Sequence, residues 1–252
     1  MGRTLSGVDL GLDGRRALVT AASKGLGRAC AEALIGEKAR VVISSRNAEA
    51  IEAAGREIGA HRAVAADVSK EADVEVLVGT AARDLGGLDI LVVNAGGPPP
   101  GTFQTTPLDG WDKAYQLTLM SAVRLVTAAL PHLKKSDQGR IVVITSISVR
   151  QPIPRLVLSN SLRAAVTGMA KTLALELAPD RITVNCLAPD AIRTDALRRL
   201  GDLAGMEERA PMKRLGEASE VGAACAFLCS SQAGYITGQT LGVDGGSLIG
   251  VH

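Results

Sequence analysis

Short runs of consecutive apolar residues alternate along the chain with longer stretches in which apolar positions recur every three or four residues. The runs at Ala17-Leu18-Val19-Thr20, Arg40 to Ser44, Val64 to Asp67, Leu88 to Asn94, Arg140 to Thr145, Ile182 to Leu187 and Thr240 to Val243 predict seven strands. The stretches from Arg28 to Gly36 and near 71–85, 111–134, 159–178 and 217–229 predict helices. Unbroken apolar strands separated by helices at this spacing belong to a parallel sheet covered on both faces, so the fold class is α/β and doubly wound. No repeat or linker interrupts the order, and one domain spanning 1–252 is expected. Gly-Gly-Pro-Pro-Pro-Gly at 96–101 follows the carboxyl end of a strand, where open α/β sheets place ligands, and is expected to form a stiff rim.

Composition narrows the function classes. A chain of 252 residues with 46% hydrophobic and 21% charged content can bury a substantial core. A net charge of +2 gives no broad basic field for nucleic acid, and no apolar run is long enough to span a bilayer. The start, Met1 to Gly7, lacks the apolar core of a signal peptide, so a soluble cytoplasmic protein is expected. Cys30, Cys186, Cys225 and Cys229 show no metal-ligand or secreted-scaffold spacing and are expected as buried thiols. Cys225 and Cys229 lie one helical turn apart without a nearby histidine, which favours packing over a metal pair. His61, His132 and His252 stand in no nucleophile–base arrangement, so no metal site and no hydrolase triad is expected.

The first strand runs into Thr20-Ala21-Ala22-Ser23-Lys24-Gly25-Leu26-Gly27, a small-residue turn opening a helix whose free N–H groups suit a pyrophosphate. Later come Ser44-Ser45-Arg46-Asn47, Asp67-Val68, Asn94-Ala95-Gly96-Gly97, Pro189-Asp190-Ala191-Ile192-Arg193-Thr194 and Val243-Asp244-Gly245-Gly246. Through this ordered set the chain resembles the short-chain dehydrogenase/reductase family from Asp13 to Gly246, including its 3-oxoacyl-thioester reductases and its sugar and alcohol dehydrogenases. The resemblance implies a Rossmann-type domain that binds a dinucleotide. Ala21, Ser23, Lys24, Gly25, Leu26 and Gly27 would hold its phosphates, Asp67 and Val68 its adenine. Asn94, Ala95 and Gly96 would lie along it, and Pro189, Ile192 and Thr194 would hold the nicotinamide carboxamide. Ala21 replaces the family's first glycine, which is tolerable with a negative φ. Asp190 replaces another glycine. Where NAD sites place a carboxylate against the ribose, this chain has Ser45 and Arg46; with Lys24 they favour NADP(H).

The catalytic set departs from the family pattern of Asn, Ser, Tyr and Lys. Ser146 keeps its place, Thr118 stands for Asn, and Ser159 with Arg163 stands for Tyr with Lys. A tyrosine hydroxyl near a cation can exchange a proton with a carbonyl; an aliphatic hydroxyl is a far weaker acid. General acid catalysis is typically worth ~10²–10⁴ in rate, so this exchange slows reduction without abolishing it. Arg163 lies one turn from Ser159, can donate to the nicotinamide ribose, and can polarise a carbonyl or bind a substrate carboxylate. Ser146 can share the oxyanion, with water as proton source. Tyr115 lies one turn before Thr118 and fits packing better than catalysis.

Three readings stay open: an NADP(H)-dependent oxidoreductase acting on a carbonyl or alcohol substrate, a non-redox lyase, isomerase or cyclase on the same scaffold, and a catalytically silent NADP(H)-binding subunit. The segment 192–211 is expected to cover a small-molecule substrate; its Arg193, Arg198, Arg199 and Arg209 hint at an anion, although a solvated helix face explains them better. Family resemblance implies a homotetramer with 222 symmetry built on the helices at 111–134 and 159–178 and on the last strands.

Overall fold

The computed structural model describes residues 9–198 and 201–250; the N-terminal start read above, Arg199 and His252 lie outside the described residues. The strands are β1 (Arg16–Val19), β2 (Arg40–Ser45), β3 (Arg62–Ala65), β4 (Ile90–Val93), β5 (Arg140–Ile144), β6 (Thr183–Pro189), β7 (Ile192–Arg193), β8 (Gly216–Glu217) and β9 (Thr240–Val243). The helices are α1 (Gly25–Gly36), α2 (Ala48–Ile58), α3 (Glu71–Leu85), α4 (Leu108–Ala114), α5 (Ser121–Leu133), α6 (Val157–Glu176), α7 (Asp195–Arg198), α8 (Leu203–Arg209) and α9 (Ala218–Cys229). Seven strands form one parallel sheet in the order β3-β2-β1-β4-β5-β6-β9. These are the seven strands expected from the apolar runs. The order reverses direction between β1 and β4, which opens a crevice at their carboxyl ends.

Alternate residues of each strand feed two cores. Leu18, Leu91, Val143 and Val184 pack under α3, α5 and α6, whereas Val19, Ile43, Val92 and Val142 pack under α1, α2 and α9. Each fully buried side chain of this size contributes about 1.5–3 kcal/mol relative to exposure. All four cysteines are buried, as their spacing implied. Cys30, Cys225 and Cys229 sit in the α1–α9 core.

The short elements β7, α7, α8 and β8 and the helix α2 were not among those expected, and the long middle helix differs from its expected form. Helix α2 was missed although its buried Ile51, Ala54 and Gly55 recur at helical spacing. Its ends were nonetheless readable: the Asn47 side chain accepts a hydrogen bond from the Ala50 N–H at 2.7 Å, and Gly59 closes the helix at φ +70°. The helix expected over 111–134 begins at Leu108 and is interrupted by a π-helical segment, Tyr115–Met120, before α5. At its end the Ser121 hydroxyl donates to the Leu117 carbonyl at 2.5 Å, a side-chain competitor for the helical ladder.

Candidate active site

The turn after β1 is stitched to the end of β4. The Thr20 hydroxyl donates to the Asn94 carbonyl at 2.7 Å, the Asn94 N–H donates back to it at 3.0 Å, and the Asn94 amide donates to the Ala21 carbonyl at 3.2 Å. Ala21 sits at φ +48°, contrary to the negative φ expected of it. The turn requires the left-handed conformation whichever residue occupies it, and alanine carries a steric cost of roughly 1–2 kcal/mol there. Gly27 admits no side chain: a Cβ would lie 2.5 Å from the Ala21 carbonyl oxygen and 2.7 Å from the Asn94 amide nitrogen. Helix α1 therefore starts hard against the turn. Its N-cap residue, Lys24, supplies no side-chain cap and its first turn holds no acidic residue, so its terminal N–H groups face the crevice free for an anion.

A cleft of about 770 Å³ lies above the carboxyl ends of β1, β2, β4 and β5. Ala21, Ser23, Lys24, Gly25 and Leu26 form one wall, with Ser45 and Arg46 beside them. Val68, Asn94, Ala95, Gly96, Arg163 and Thr194 complete the lining, and Thr194 lies beside Gly25. Most of the expected binding residues thus share one cavity. The sequence reading missed Asn47, Ala66, Leu117, Thr145 and Asp195, which line it as well. All five immediately adjoin expected site residues, so position rather than residue type was the available signal.

Other expected residues lie off the cleft. The Asp67 carboxylate accepts from the Ser69 N–H and hydroxyl at 3.0 and 2.8 Å. Burial alone would push its pKa up, but these hydrogen bonds and the charges of Arg46 and Lys70 bring it below the ordinary value. Ile192 is buried and, with Asp190, lines a separate cavity of about 320 Å³ near Val243. Strand β7 pairs with β8, and the described arginines between 192 and 211 pair with nearby acids. Arg193 bridges Glu207 and Glu217 at 2.7 and 3.0 Å, Arg198 reaches Asp195 at 3.2 Å, and Arg209 reaches Asp202 at 3.0 Å.

Of the four catalytic candidates only Arg163 lines the cleft. Its Nη1 donates to the Ile144 carbonyl at 3.0 Å and to the Thr145 carbonyl at 3.2 Å, both at the end of β5. Burial, with no charged neighbour contributing, lowers its pKa from 12.5 to about 10. Thr118 sits in the π-helical segment, buried, with a hydroxyl that has no partner. It shares a void of only about 10 Å³ with Arg163, Thr145 and Ser121. Ser146 follows Thr145, and its hydroxyl oxygen accepts the Ser148 N–H at 3.1 Å, which caps a short 3₁₀ turn. Ser159 is buried on α6, one turn before Arg163. Tyr115 is 41% exposed and lines neither cavity.

Residues 20–247 match the family described as Enoyl-(Acyl carrier protein) reductase. The chain is 38% identical over 247 residues to dehydrogenase/reductase SDR family member 4 of Bos taurus, covering 94% of this chain and 88% of the bovine one. It is 35% identical over 240 residues to the 3-oxoacyl-(acyl-carrier-protein) reductase FabG of Salmonella typhimurium, covering 94% and 98%. The crystal structure of L-sorbose reductase from Gluconobacter frateurii, complexed with NADPH and L-sorbose, superposes with a TM-score of 0.91 at 32% identity, covering 97% of this chain and all of that one.

Proposed function

The chain belongs to the short-chain dehydrogenase/reductase family, and from that premise we propose that it is an NADP(H)-dependent oxidoreductase acting on a carbonyl or alcohol substrate with a non-standard catalytic set. One observation carries the reading: the turn before α1, Arg46, the Asn94 turn and Arg163 converge on a single elongated cleft. The residues present fit the cofactor. The N–H groups at the start of α1 suit a pyrophosphate, and Gly27 keeps the backbone close to it. Arg46 and Lys24 give a 2′-phosphate two cations, and Ser45 offers no repelling carboxylate.

Bound NADPH would supply the hydride. Arg163 stays charged at neutral pH and is held in place by two strand-end carbonyls. Its free N–H groups would orient the nicotinamide ribose and stabilise negative charge developing on a substrate oxygen, a preorganised donor in a partly desolvated site. The Ser146 hydroxyl, half-buried and next to the cleft-lining Thr145, accepts one backbone hydrogen bond and would keep its own proton for the same oxygen. Water delivers the proton, because Ser159 lies outside the cleft lining and is a weak acid. The segment 192–211 covers the substrate, and the protein works as a homotetramer in the cytoplasm.

A non-redox or silent role is the second reading, favoured by the position of Ser159 away from the cleft. Deuterium transfer separates them. With 4-deuterated NADPH, product formed from a panel of ketones, thioesters and sugars should carry the label, and Arg163→Ala should slow its appearance at least roughly tenfold. NADPH binding without label in any product would establish the second reading.

A further inference from the structure

Arg163 is the one catalytic candidate in the cleft, and its charge is unspent. Among the described residues no carboxylate approaches it within salt-bridge distance, and no acidic residue lines the small void behind it. The other cations on the cleft differ. Lys24 has Asp195 at 3.8 Å, and Arg46 acts on the Asp67 carboxylate. Arg163 has only the neutral carbonyls of Ile144 and Thr145. A guanidinium partly withdrawn from water without an anion is costly.

The way Arg163 is anchored indicates what would relieve it. Both backbone bonds come from Nη1, leaving Nε and Nη2 without protein acceptors. Those two nitrogens form one edge of the guanidinium plane, and that edge matches a carboxylate through two parallel N–H···O bonds. The void shared with Thr118, about 10 Å³, holds at most about one water and cannot take a carboxylate, so the anion must come from the cleft side. A dinucleotide does not answer this need, since its phosphates belong with the free N–H groups at the start of α1 and with Arg46 and Lys24.

We propose that the Nε–Nη2 edge of Arg163 is a carboxylate subsite, with the second Nη2–H left for the nicotinamide ribose, and that the substrate is an anionic oxo- or hydroxy-acid held there beside the nicotinamide. The inference rests on the NADP(H) reading above. It has a further consequence. An oxidised nicotinamide is itself cationic, so a carboxylate between it and Arg163 is attracted by two positive charges instead of one, and the anion binds the NADP⁺ complex more tightly than the NADPH complex.

Calorimetry with oxalate and its neutral counterpart oxamide tests this on the unmodified protein. NADPH and NADP⁺ are titrated first: absence of binding would refute the cofactor reading itself. With NADP⁺ saturating, oxalate should bind at least roughly tenfold more tightly than oxamide, and more tightly than oxalate binds the NADPH complex. Arg163→Met, shown folded by circular dichroism and titrated at saturating NADP⁺, should lose that preference. Arg163→Lys should keep part of it, as a point charge without the fork. Equal affinity for oxalate and oxamide in a protein that binds NADP⁺ would overturn the subsite while leaving the oxidoreductase reading intact. A preference that survives in Arg163→Met would overturn it as well.

Discussion

Asp195, the first residue of α7, places its carboxylate 3.8 Å from the ammonium of Lys24 in the turn that opens α1. The pair joins α7 to the turn before α1 at the cleft, and both partners are more than half exposed. An exposed pair of this kind is worth about 0–1 kcal/mol, so a phosphate entering the cleft can recruit Lys24 cheaply.

NADPH should therefore bind at least about tenfold more tightly than NADH, equivalent to about 1.4 kcal/mol. Arg46→Ala should remove most of that difference. Asp195→Asn should tighten NADPH by roughly twofold to threefold, because Lys24 is no longer shared. Calorimetric titration of the three proteins with both cofactors checks this. Equal affinities in the unmodified protein would refute the phosphate assignment, and indifference to Arg46→Ala would shift it to Lys24 alone.

A second expectation concerns acid stability. Asp89 is 2% exposed and joins β4 to β1 through Arg16, with Oδ1 accepting from Nη2 at 2.6 Å and Oδ2 from Nε at 2.8 Å. Burial pushes the carboxyl pKa up, but bonds from Arg16 and Ser136 and the Arg16 charge outweigh it, and the net shift is downward. A carboxylate with a depressed folded pKa stabilises above its unfolded value, about 3.9, and loses that contribution as pH falls through the lower folded value. Denaturant unfolding should show stability falling below about pH 4. Asp89→Ala should cost about 3 kcal/mol at neutral pH by stranding Arg16, and should flatten the acid limb. An unchanged limb would show that other carboxylates control it.

The parallel sheet was legible in advance because strands buried on both faces leave unbroken apolar runs: Ile90-Leu91-Val92-Val93 needs no context to be read. The cofactor wall was legible because glycine positions such as Gly27 are dictated by backbone approach, which leaves its mark in the sequence. Side-chain direction was not legible. Ser159 and Arg163 lie one turn apart on α6, yet only the longer side chain reaches the cleft. Ala21 shows the same limit, since its left-handed backbone follows from the turn's hydrogen bonds to Asn94 and not from a property of alanine. The arginines from Arg193 to Arg209 suggested an anion, but the described ones answer to acids such as Glu207 and Asp202, whose nearness no local pattern encodes.

Assembly should follow the exposed apolar surface. Leu175 on α6 is 73% exposed, and β9, an edge of the sheet, carries Leu241 at 41%, with Tyr235 ahead of it fully exposed. A second group, Phe103, Leu108 and Tyr115, lies on and before α4 and its π-helical continuation. Exposed apolar residues on α6, around α4 and at an edge strand suit a tetramer with more than one kind of contact. Light scattering at micromolar concentration should give four copies. Leu175→Glu with Tyr235→Lys should reduce this to dimers; a monomer in the unmodified protein would contradict the expectation.

The last prediction addresses the missing acid. Ser159 precedes Arg163 by one turn of α6, so Ser159→Tyr would present a phenol on the side of the helix that already delivers Arg163 to the cleft. A nearby ammonium lowers a phenol's pKa toward neutrality as effectively as a guanidinium, and the shorter Lys leaves room for the ring. The double change Ser159→Tyr with Arg163→Lys should therefore raise kcat for reduction of a neutral ketone by at least roughly tenfold, a conservative share of the ~10²–10⁴ that general acid catalysis supplies. Ser159→Tyr alone should gain less, because Ser159 is buried and the ring would compete with Arg163 for space. The unpartnered hydroxyl of Thr118 caps the gain, since its void of about 10 Å³ leaves no room for a chain of waters to refill the phenol's proton. Steady-state kinetics should place the increase in kcat with little change in KM. A rise confined to KM, or none in a folded double variant that binds NADPH, would show that the backbone of α6 does not present position 159 to the reacting carbonyl.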